Sequence, residues 1–252
     1  MSDRSFEFFL QFHRDVPRQG PGTTEATVDA FRRIQELLPP EPRILDLGCG
    51  SGGQTLTLAG LTKGSILAVD TYAPFVEELR QRLAERGLDR RVTPQVGDMT
   101  ALVLPPESFD LVWCEGAIYN AGFERGLGII HGLLGAQGLA VVSEAAWLRP
   151  LAEVPRDVLE FWTAPYPAMT NVEKNLAMAG KAGFEVLDHF TLPAEGWAAY
   201  IDPVEQRMNE VLAKHPDDPD AKKAAEAERR EFAVFRKNRG WFGYEFFLLK
   251  KK

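Results

Sequence analysis

The sequence predicts an α/β fold built around a doubly wound, mostly parallel sheet. Five short apolar segments, near residues 43–47, 65–69, 92–96, 109–113 and 138–145, alternate with stretches of helical periodicity. The first segment leads through a glycine-rich turn into a helix. A chain of 252 residues with 45% hydrophobic content can bury one such core and still carry an added segment, so we expect a single domain.

Two helices are expected ahead of the first strand. Apolar residues within residues 6–13 recur at helical spacing, and this amphipathic helix should end before Pro17. A second helical pattern covers residues 30–38 and must end at Pro39, because proline cannot continue the helical hydrogen-bond ladder. We expect residues 1–39 to form a helical cap over the ligand of the core.

The turn after the first strand is the most informative part of the chain. Within residues 44–55, glycines occupy positions 48, 50 and 53, which fits the G-x-G-x-x-G pattern of dinucleotide sites. Such a turn lets a ligand approach the backbone closely. On its own, the pattern does not separate a nicotinamide cofactor from S-adenosylmethionine (SAM).

Carboxylates at three strand ends favour SAM. Asp46, at the end of the first strand, is suited to receive the ammonium group of a methionine moiety, whereas two phosphates would be repelled there. Asp70 follows the second strand and is suited to grip the ribose hydroxyls of either cofactor. Asp98 and Met99 follow the third strand, where a carboxylate can accept the adenine amine and an apolar side chain can cover the ring. Nicotinamide enzymes lack this last element.

These segments, together with residues 109–115, resemble the hallmarks of class I SAM-dependent methyltransferases over residues 40–148. Within that group the chain is most similar to the branch of ubiquinone and menaquinone methyltransferases. More narrowly it resembles a group of bacterial small-molecule methyltransferases, through residues 18–22 and 115–120. The resemblance implies a Rossmann-like sheet of seven strands whose antiparallel edge comes from residues 184–190 and 244–249.

The rest of the chain predicts a helix and an insertion. Residues 170–173, Thr-Asn-Val-Glu, predict a capping box that begins a helix through Leu176. The insertion, residues 193–241, should contain one helix around 204–212 and a highly charged one around 221–239. We interpret it as a lid, and the alternative is a packing appendage. The predicted division is a helical cap (1–39), a core (40–192), the lid insertion (193–241) and the last strand (242–252).

The carboxyl ends of parallel strands meet at one edge of a sheet, so the motifs should converge on one crevice. The resemblance also implies that the loop from Arg18 to Thr23 closes over the methionine end of SAM. The expected cofactor-binding residues are Arg18, Gly20, Asp46, Gly48, Gly50, Gln54, Thr55, Asp70, Thr71, Asp98, Met99 and Glu115.

Three residues are candidates for catalysis. Glu115 lies where the resembled fold presents its methyl acceptor, and it can bind an amine, accept a proton or fix the methionine ammonium; the alternative is a structural glutamate at a helix start. Tyr119, in the same turn, can orient the acceptor. His13 is the other candidate base, although a lone histidine on an aromatic helix is usually structural. Aromatic residues such as Trp197 and Tyr200 are candidates for walling an aromatic or cationic acceptor.

Composition limits the partners. A net charge of −7 opposes attraction to nucleic-acid phosphates, so a small-molecule acceptor is expected. No cluster of metal-ligating residues has the spacing of a zinc site, and no metal is expected. Two cysteines agree with a reducing compartment, and the chain shows neither a signal peptide nor an apolar stretch of about 20 residues, which predicts a cytoplasmic protein without a membrane partner. The oligomeric state stays open, with a homodimer as one option.

The expected reaction is an in-line displacement. A nitrogen, oxygen or carbon atom of a small metabolite attacks the sulfonium methyl group and leaves S-adenosylhomocysteine. Because the leaving group is already activated, the enzyme contributes mainly alignment and the exclusion of water. The alternatives are a SAM-binding sensor or partner subunit without transfer activity, and a nicotinamide oxidoreductase, which Asp46 and Asp98 oppose.

Overall fold

A computed structural model describes residues 2–238 and 240–252 of the chain. Met1, where the predicted cap begins, and Arg239, where the predicted charged helix ends, lie outside these residues. The helices are α1 (Asp3–Phe12), α2 (Thr24–Ile34), α3 (Gly53–Leu61), α4 (Ala73–Glu85), α5 (Phe123–Leu133), α6 (Arg156–Thr163), α7 (Val172–Lys181), α8 (Glu195–Lys214) and α9 (Pro219–Lys237). The strands are β1 (Arg43–Leu47), β2 (Ser65–Asp70), β3 (Val92–Val96), β4 (Phe109–Cys114), β5 (Leu134–Trp147), β6 (Thr170–Asn171), β7 (Phe184–Thr191) and β8 (Phe242–Lys251).

The sheet confirms the predicted fold class. Seven strands follow the order β3-β2-β1-β4-β5-β8-β7, and the two-residue strand β6 pairs with the end of β5. Strands β1 to β5 run parallel, with Leu45 opposite both Leu67 and Val112. Strand β8 runs antiparallel to β5 and β7, and it forms the predicted antiparallel edge with β7. The chain order reverses beside β1, so the carboxyl ends of β1 and β4 flank a crevice.

The two faces of the sheet bury separate apolar clusters. Ile44 points towards the cluster that includes residues of α2, α3 and α4, whereas Leu45 and Leu47 point towards the cluster of α5 and α7. Asp46 lies two residues after Ile44 and therefore faces the α3 side, since side chains alternate along a strand. This alternation decides which helix supplies the partners of Asp46.

The N-terminal helix and the lid insertion pack on each other. Phe12 of α1, Met208 of α8 and Phe232 of α9 are buried in one apolar cluster. The N-terminal helix and the insertion between β7 and β8 are thereby joined in space beside the crevice. Within the described residues, no helix is both long and apolar enough to cross a membrane.

Several element boundaries differ from those predicted. Helix α8 begins nine residues before the predicted start and runs through Pro203, because Trp197, Tyr200 and Ile201 in its first turns are buried and outweigh the cost of a proline inside a helix. Helix α6 was not predicted. The capping box at Thr170 is wrong: Thr170 belongs to β6, and Asn171 caps α7 by accepting a hydrogen bond from the backbone N–H of Lys174.

Candidate cofactor and acceptor site

A cavity of about 350 Å³ lies at the carboxyl ends of β1 to β4. Helix α1 contributes Phe9, Leu10 and His13 to its wall, so the N-terminal cap covers the crevice. The cavity brings together most of the residues that the sequence singled out. Its walls include Arg18, Gly20, Gly48, Gly50, Gln54, Asp70, Thr71, Asp98, Met99, Glu115, Tyr119 and His13.

The floor is the glycine turn between β1 and α3. Gly48 and Gly50 have φ angles of +74° and +53°, a backbone region that favours glycine. A Cβ atom on Gly48 would lie 2.2 Å from Cβ of Ala117, and one on Gly50 would lie 2.2 Å from Oε1 of Gln19. The turn therefore leaves no room for side chains and presents bare backbone to the cavity.

Gln19 fastens the N-terminal segment onto this turn, a role that the sequence analysis missed. Its Oε1 accepts a hydrogen bond from the backbone N–H of Ser51 (2.8 Å), and its Nε2 donates to Oγ of Ser51 (3.0 Å) and to the carbonyl oxygen of His13 (3.1 Å). Arg82 of α4 adds hydrogen bonds to Ser51 and to the carbonyl oxygen of Val16. The only sequence signal was the position of Gln19 beside Arg18 in the 18–22 segment.

Asp46 and Thr55, two of the expected cofactor-binding residues, do not line the cavity. Both side chains are fully buried, and Asp46 accepts hydrogen bonds from the Thr55 hydroxyl and from Nε2 of Gln54. Burial raises the pKa of Asp46 to about 7, although these hydrogen bonds oppose the shift. Gln54 also donates to the carbonyl oxygen of Gly48 and lines the cavity. Asp46 therefore acts on the cavity through Gln54.

Asp70 lies on the cavity wall at the end of β2. Its carboxylate accepts hydrogen bonds from the backbone N–H groups of Gly50 (2.9 Å) and Tyr72 (3.0 Å). Burial raises its pKa, and these hydrogen bonds limit the rise. A carboxylate has about four lone-pair positions, so capacity remains for two further donors. Thr71, the next residue, is exposed and also lines the cavity.

Asp98 and Met99 form the outer wall after β3. Asp98 accepts hydrogen bonds from the backbone N–H (2.7 Å) and hydroxyl (2.8 Å) of Thr100, which lower its pKa. The side chain is exposed, so it holds its turn and keeps free acceptor positions. Met99 is half-buried, and its methyl group lies against the position of Gly48. The two residues provide an acceptor and an apolar surface side by side.

Arg18 and Glu115 form a buried ion pair on the cavity wall, with Nη1 of Arg18 2.7 Å from Oε2 of Glu115. The other oxygen of Glu115 accepts hydrogen bonds from the hydroxyl of Thr27 and from Nε1 of Trp113, both at 2.8 Å. Nη2 of Arg18 donates to Thr27 and to the carbonyl oxygen of Thr23. These three hydrogen bonds occupy most of the lone-pair positions of Glu115 and make it an anchor of the Arg18 loop.

His13 is held in one tautomer. Its Nδ1 lies 2.8 Å from the carbonyl oxygen of Phe9, which can only accept, so Nδ1 carries the hydrogen. Nε2 therefore accepts a hydrogen bond from the hydroxyl of Tyr200 at 2.9 Å. Burial lowers the pKa of His13 to about 4, although the Phe9 contact opposes this shift. The imidazole is thus neutral near pH 7, with its basic nitrogen already engaged.

The loop that carries Arg18 also touches the lid insertion. The backbone N–H of Gly22 donates to the carbonyl oxygen of Gly196, at the start of α8, over 3.1 Å. Tyr119, 43% exposed, lines the cavity together with Asn120, and its ring centroid is 6.0 Å from that of Tyr166. The loop, α1 and the turn after β4 therefore all border the cavity.

Comparisons with known proteins agree with this geometry. Residues 44–138 match the model of the methyltransferase domain family, a segment that contains the glycine turn, Asp70, Asp98 and Glu115. The solved structure of a SAM-dependent methyltransferase from Geobacter sulfurreducens, in complex with S-adenosyl-L-homocysteine, superposes with a TM-score of 0.85. It is 24% identical and covers 98% of each chain, which establishes the shared fold.

Two curated relatives match over part of their length. The 27-O-demethylrifamycin SV methyltransferase of Amycolatopsis mediterranei is 29% identical over 98 residues, which are 38% of this chain and 36% of that protein. The dimethylglycine N-methyltransferase of Parasynechococcus marenigrum is 28% identical over 99 residues, 39% of this chain and 35% of that protein. The matched part of the chain thus spans about a third of these relatives. Residues 44–138 thus match a methyltransferase domain, and the whole chain has the fold of a solved SAM-dependent methyltransferase.

Proposed function

We propose that this protein transfers the methyl group of SAM to a small-molecule acceptor. The observation that carries the proposal is the convergence of the bare glycine turn, the Asp70 carboxylate and the Asp98–Met99 pair on one cavity beneath α1. The carboxylate of Asp70 suits the ribose hydroxyls, and the Asp98–Met99 pair suits the adenine ring. The glycine turn lets the cofactor approach the backbone closely. The relatives named above, which are methyltransferases of small molecules by name, support the same activity.

The individual roles follow from position. Asp70 holds the ribose hydroxyls with the acceptor capacity that Gly50 and Tyr72 leave free. Asp98 accepts the adenine amine, and Met99 covers one face of the ring. The loop from Arg18 to Thr23 closes over the methionine end of SAM, and Glu115 fixes the side chain of Arg18. Gln54 presents its amide beside Gly48, positioned by Asp46 and Thr55.

When bound, SAM supplies an activated methyl group on a sulfonium sulfur, and the chain supplies alignment. Helix α1 and the 18–22 loop cover the cavity and exclude water, which strengthens polar contacts inside it. Holding two reactants at attack distance is worth about 7 to 11 kcal/mol of the barrier. Since Glu115 and His13 are both engaged, alignment and exclusion of water carry more of the rate than a dedicated base. Tyr119, which lines the cavity, orients the acceptor.

The acceptor is small and the protein works in the cytoplasm. A net charge of −7 disfavours nucleic-acid phosphates. Cys49 and Cys114 are buried, unpaired thiols, which agrees with a reducing compartment. Membership in the branch of ubiquinone and menaquinone methyltransferases remains a prediction, as does assembly into a homodimer.

The test is transfer of a labelled methyl group. The purified protein is incubated with methyl-deuterated SAM and a bacterial metabolite extract, and mass spectrometry searches for products that are heavier by one labelled methyl group. We expect labelled product and stoichiometric S-adenosylhomocysteine. Tight binding of SAM without labelled product in extracts from several growth conditions would instead indicate a sensor, and absence of SAM binding would exclude the proposal.

A further inference from the structure

The lid insertion contributes no residue to the cavity wall, as far as the structure describes the insertion. The cap supplies that part of the wall instead, through Phe9, Leu10 and His13 of α1 and through residues 18–21 of the loop. The insertion therefore acts on the cavity only through the elements that it contacts.

Helix α1 lies between the cavity and the lid insertion. One side of the helix carries the cavity residues just named. Phe8 and Phe12 lie on another side, where they are buried in one apolar cluster with Met208 and Phe232. The ring of Phe8 also meets the ring of His215 edge-on, at a centroid distance of 5.2 Å. The lid insertion thus packs on the back of the helix that covers the cavity.

Helix α8 holds the segment that follows α1. The hydroxyl of Tyr200 donates a hydrogen bond to Nε2 of His13 over 2.9 Å, and both residues are buried. One helical turn earlier, the carbonyl oxygen of Gly196 accepts a hydrogen bond from the backbone N–H of Gly22 over 3.1 Å. These two contacts hold the two ends of segment 13–22, which carries the loop residues of the cavity wall.

The hydroxyl of Tyr200 makes the more important of the side-chain contacts between α8 and this segment. Arg207, two turns further along the same face of α8, pairs with Asp15 over 2.8 Å, but this pair lies at the surface and contributes little. Nε2 of His13, in contrast, is a buried acceptor that would lose its donor without Tyr200. The carboxyl oxygen of Glu228 nearest to Nε2 lies 3.9 Å away, beyond hydrogen-bond distance.

A continuous set of hydrogen bonds leads from Tyr200 to the glycine turn. The ring of His13 is held by Tyr200 at Nε2 and by the carbonyl oxygen of Phe9 at Nδ1. The carbonyl oxygen of His13 accepts a hydrogen bond from Nε2 of Gln19 (3.1 Å), and Oε1 of Gln19 accepts one from the N–H of Ser51 (2.8 Å). The position of the turn beneath the cavity is therefore linked to a residue of the lid insertion.

We propose that Tyr200 is a positioning residue of the methyl-transfer site, which acts through His13 to hold the cap over the bound cofactor. The proposal rests on the proposed function and assigns the lid insertion a role in it from outside the cavity. With the hydroxyl in place, the imidazole keeps one orientation in the wall and α1 stays fixed against α8. Without it, the imidazole loses one of its two hydrogen bonds, the cap opens more often, and the cofactor leaves sooner.

The test compares Tyr200→Phe, which removes the hydroxyl and keeps the ring, with the parent protein. The dissociation rate of S-adenosylhomocysteine is measured by stopped-flow displacement with excess SAM. We expect this rate to rise roughly tenfold, within the range for a buried acceptor left without its donor. Hydrogen exchange should become faster in residues 3–22 and stay unchanged in β1 and β4. Gln206→Ala, an exposed residue of the same helix, is the control and should release S-adenosylhomocysteine like the parent protein.

A double-mutant cycle shows whether Tyr200 acts through His13. His13→Phe breaks the same contact from the side of the cap, so it should also speed dissociation, and adding Tyr200→Phe to it should change the rate by less than about twofold. An unchanged rate in either single variant, an equal effect of Tyr200→Phe in both backgrounds, or faster exchange throughout the sheet would overturn the positioning role alone. Failure of the parent protein to bind S-adenosylhomocysteine would instead overturn the proposed function.

Discussion

At the residue scale, the structure changes the role of Glu115. Its position after β4 made it a candidate base, yet Arg18, Thr27 and Trp113 satisfy both of its oxygens. Two of these partners belong to the N-terminal segment, far away in sequence. No local pattern around Glu115 could therefore have revealed that it is an anchor.

Replacing Glu115 should cost stability and cofactor affinity together. Glu115→Gln leaves the buried charge of Arg18 without its counterion, and breaking a buried pair from one side typically costs about 3 to 5 kcal/mol. We expect a lower midpoint of thermal unfolding and weaker binding of S-adenosylhomocysteine. Glu25→Gln, on the exposed surface of α2, is the control. Unchanged stability and affinity with lost turnover would restore Glu115 as a proton acceptor.

Asp70 should contribute to the affinity of the protein for SAM. Its removal loses charge-assisted hydrogen bonds to the ribose worth about 1.5 to 3 kcal/mol, so Asp70→Ala should weaken SAM roughly tenfold to a hundredfold. The measurement is calorimetric titration with SAM, after circular dichroism has established that the variant folds. Asp89→Ala, an exposed aspartate beyond α4, should bind like the parent protein. Equal affinity in both variants would remove Asp70 from the ribose site.

At the element scale, the glycine turn and the N-terminal segment work as one unit. The motif predicted the turn, because three glycines after an apolar strand have few other uses. It did not predict that Gln19 would fill the space above Gly50. Helix α8 shows the same limit: the sequence predicted a helix only around residues 204–212, whereas tertiary burial of Trp197 extends the helix to Glu195.

Removing the side chain of Gln19 should therefore loosen the glycine turn and the N-terminal segment. Gln19→Ala removes three hydrogen bonds to Ser51 and His13 and leaves the N–H of Ser51 without its partner, at a cost of about 1 to 3 kcal/mol. Hydrogen exchange followed by mass spectrometry should show faster exchange in residues 13–20 and at Ser51, with weaker S-adenosylhomocysteine binding. Gln81→Ala, exposed on α4, serves as control. Unaltered exchange would show that Arg82 alone holds the segment.

At the scale of the whole molecule, buried acids should make the ligand-free protein less stable at high pH. Burial raises the pKa to about 7 for Asp46 and to about 8 for Glu144 and Glu228. Unfolded carboxyl groups titrate near pH 4, so the folded state binds more protons between these values. The stability that these three groups contribute is fully present below about pH 4 and is lost as pH rises through 7 to 8. Each group contributes about 1.4 kcal/mol for every pH unit that separates its pKa in the folded and unfolded states.

The measurement is the unfolding midpoint of the ligand-free protein between pH 5.5 and pH 9, a range set by these pKa values. We expect a fall of more than about 5 °C across it, given the usual dependence of the midpoint on stability. Glu144→Gln, which keeps the shape but cannot ionise, should reduce the fall. A midpoint that stays level or rises with pH would contradict the assignment of these groups as buried acids.

The sequence alone determined the parallel sheet, the glycine turn and the strand-end carboxylates at positions 70 and 98, because each follows from local periodicity and short spacing. Tertiary structure decided which groups face the cavity. Asp46 turns towards α3 because side chains alternate along β1, Glu115 meets Arg18 across the chain, and the lid insertion packs on α1. The burial of Glu144 and Glu228 also emerges only at this level, since burial depends on contacts between segments distant in sequence.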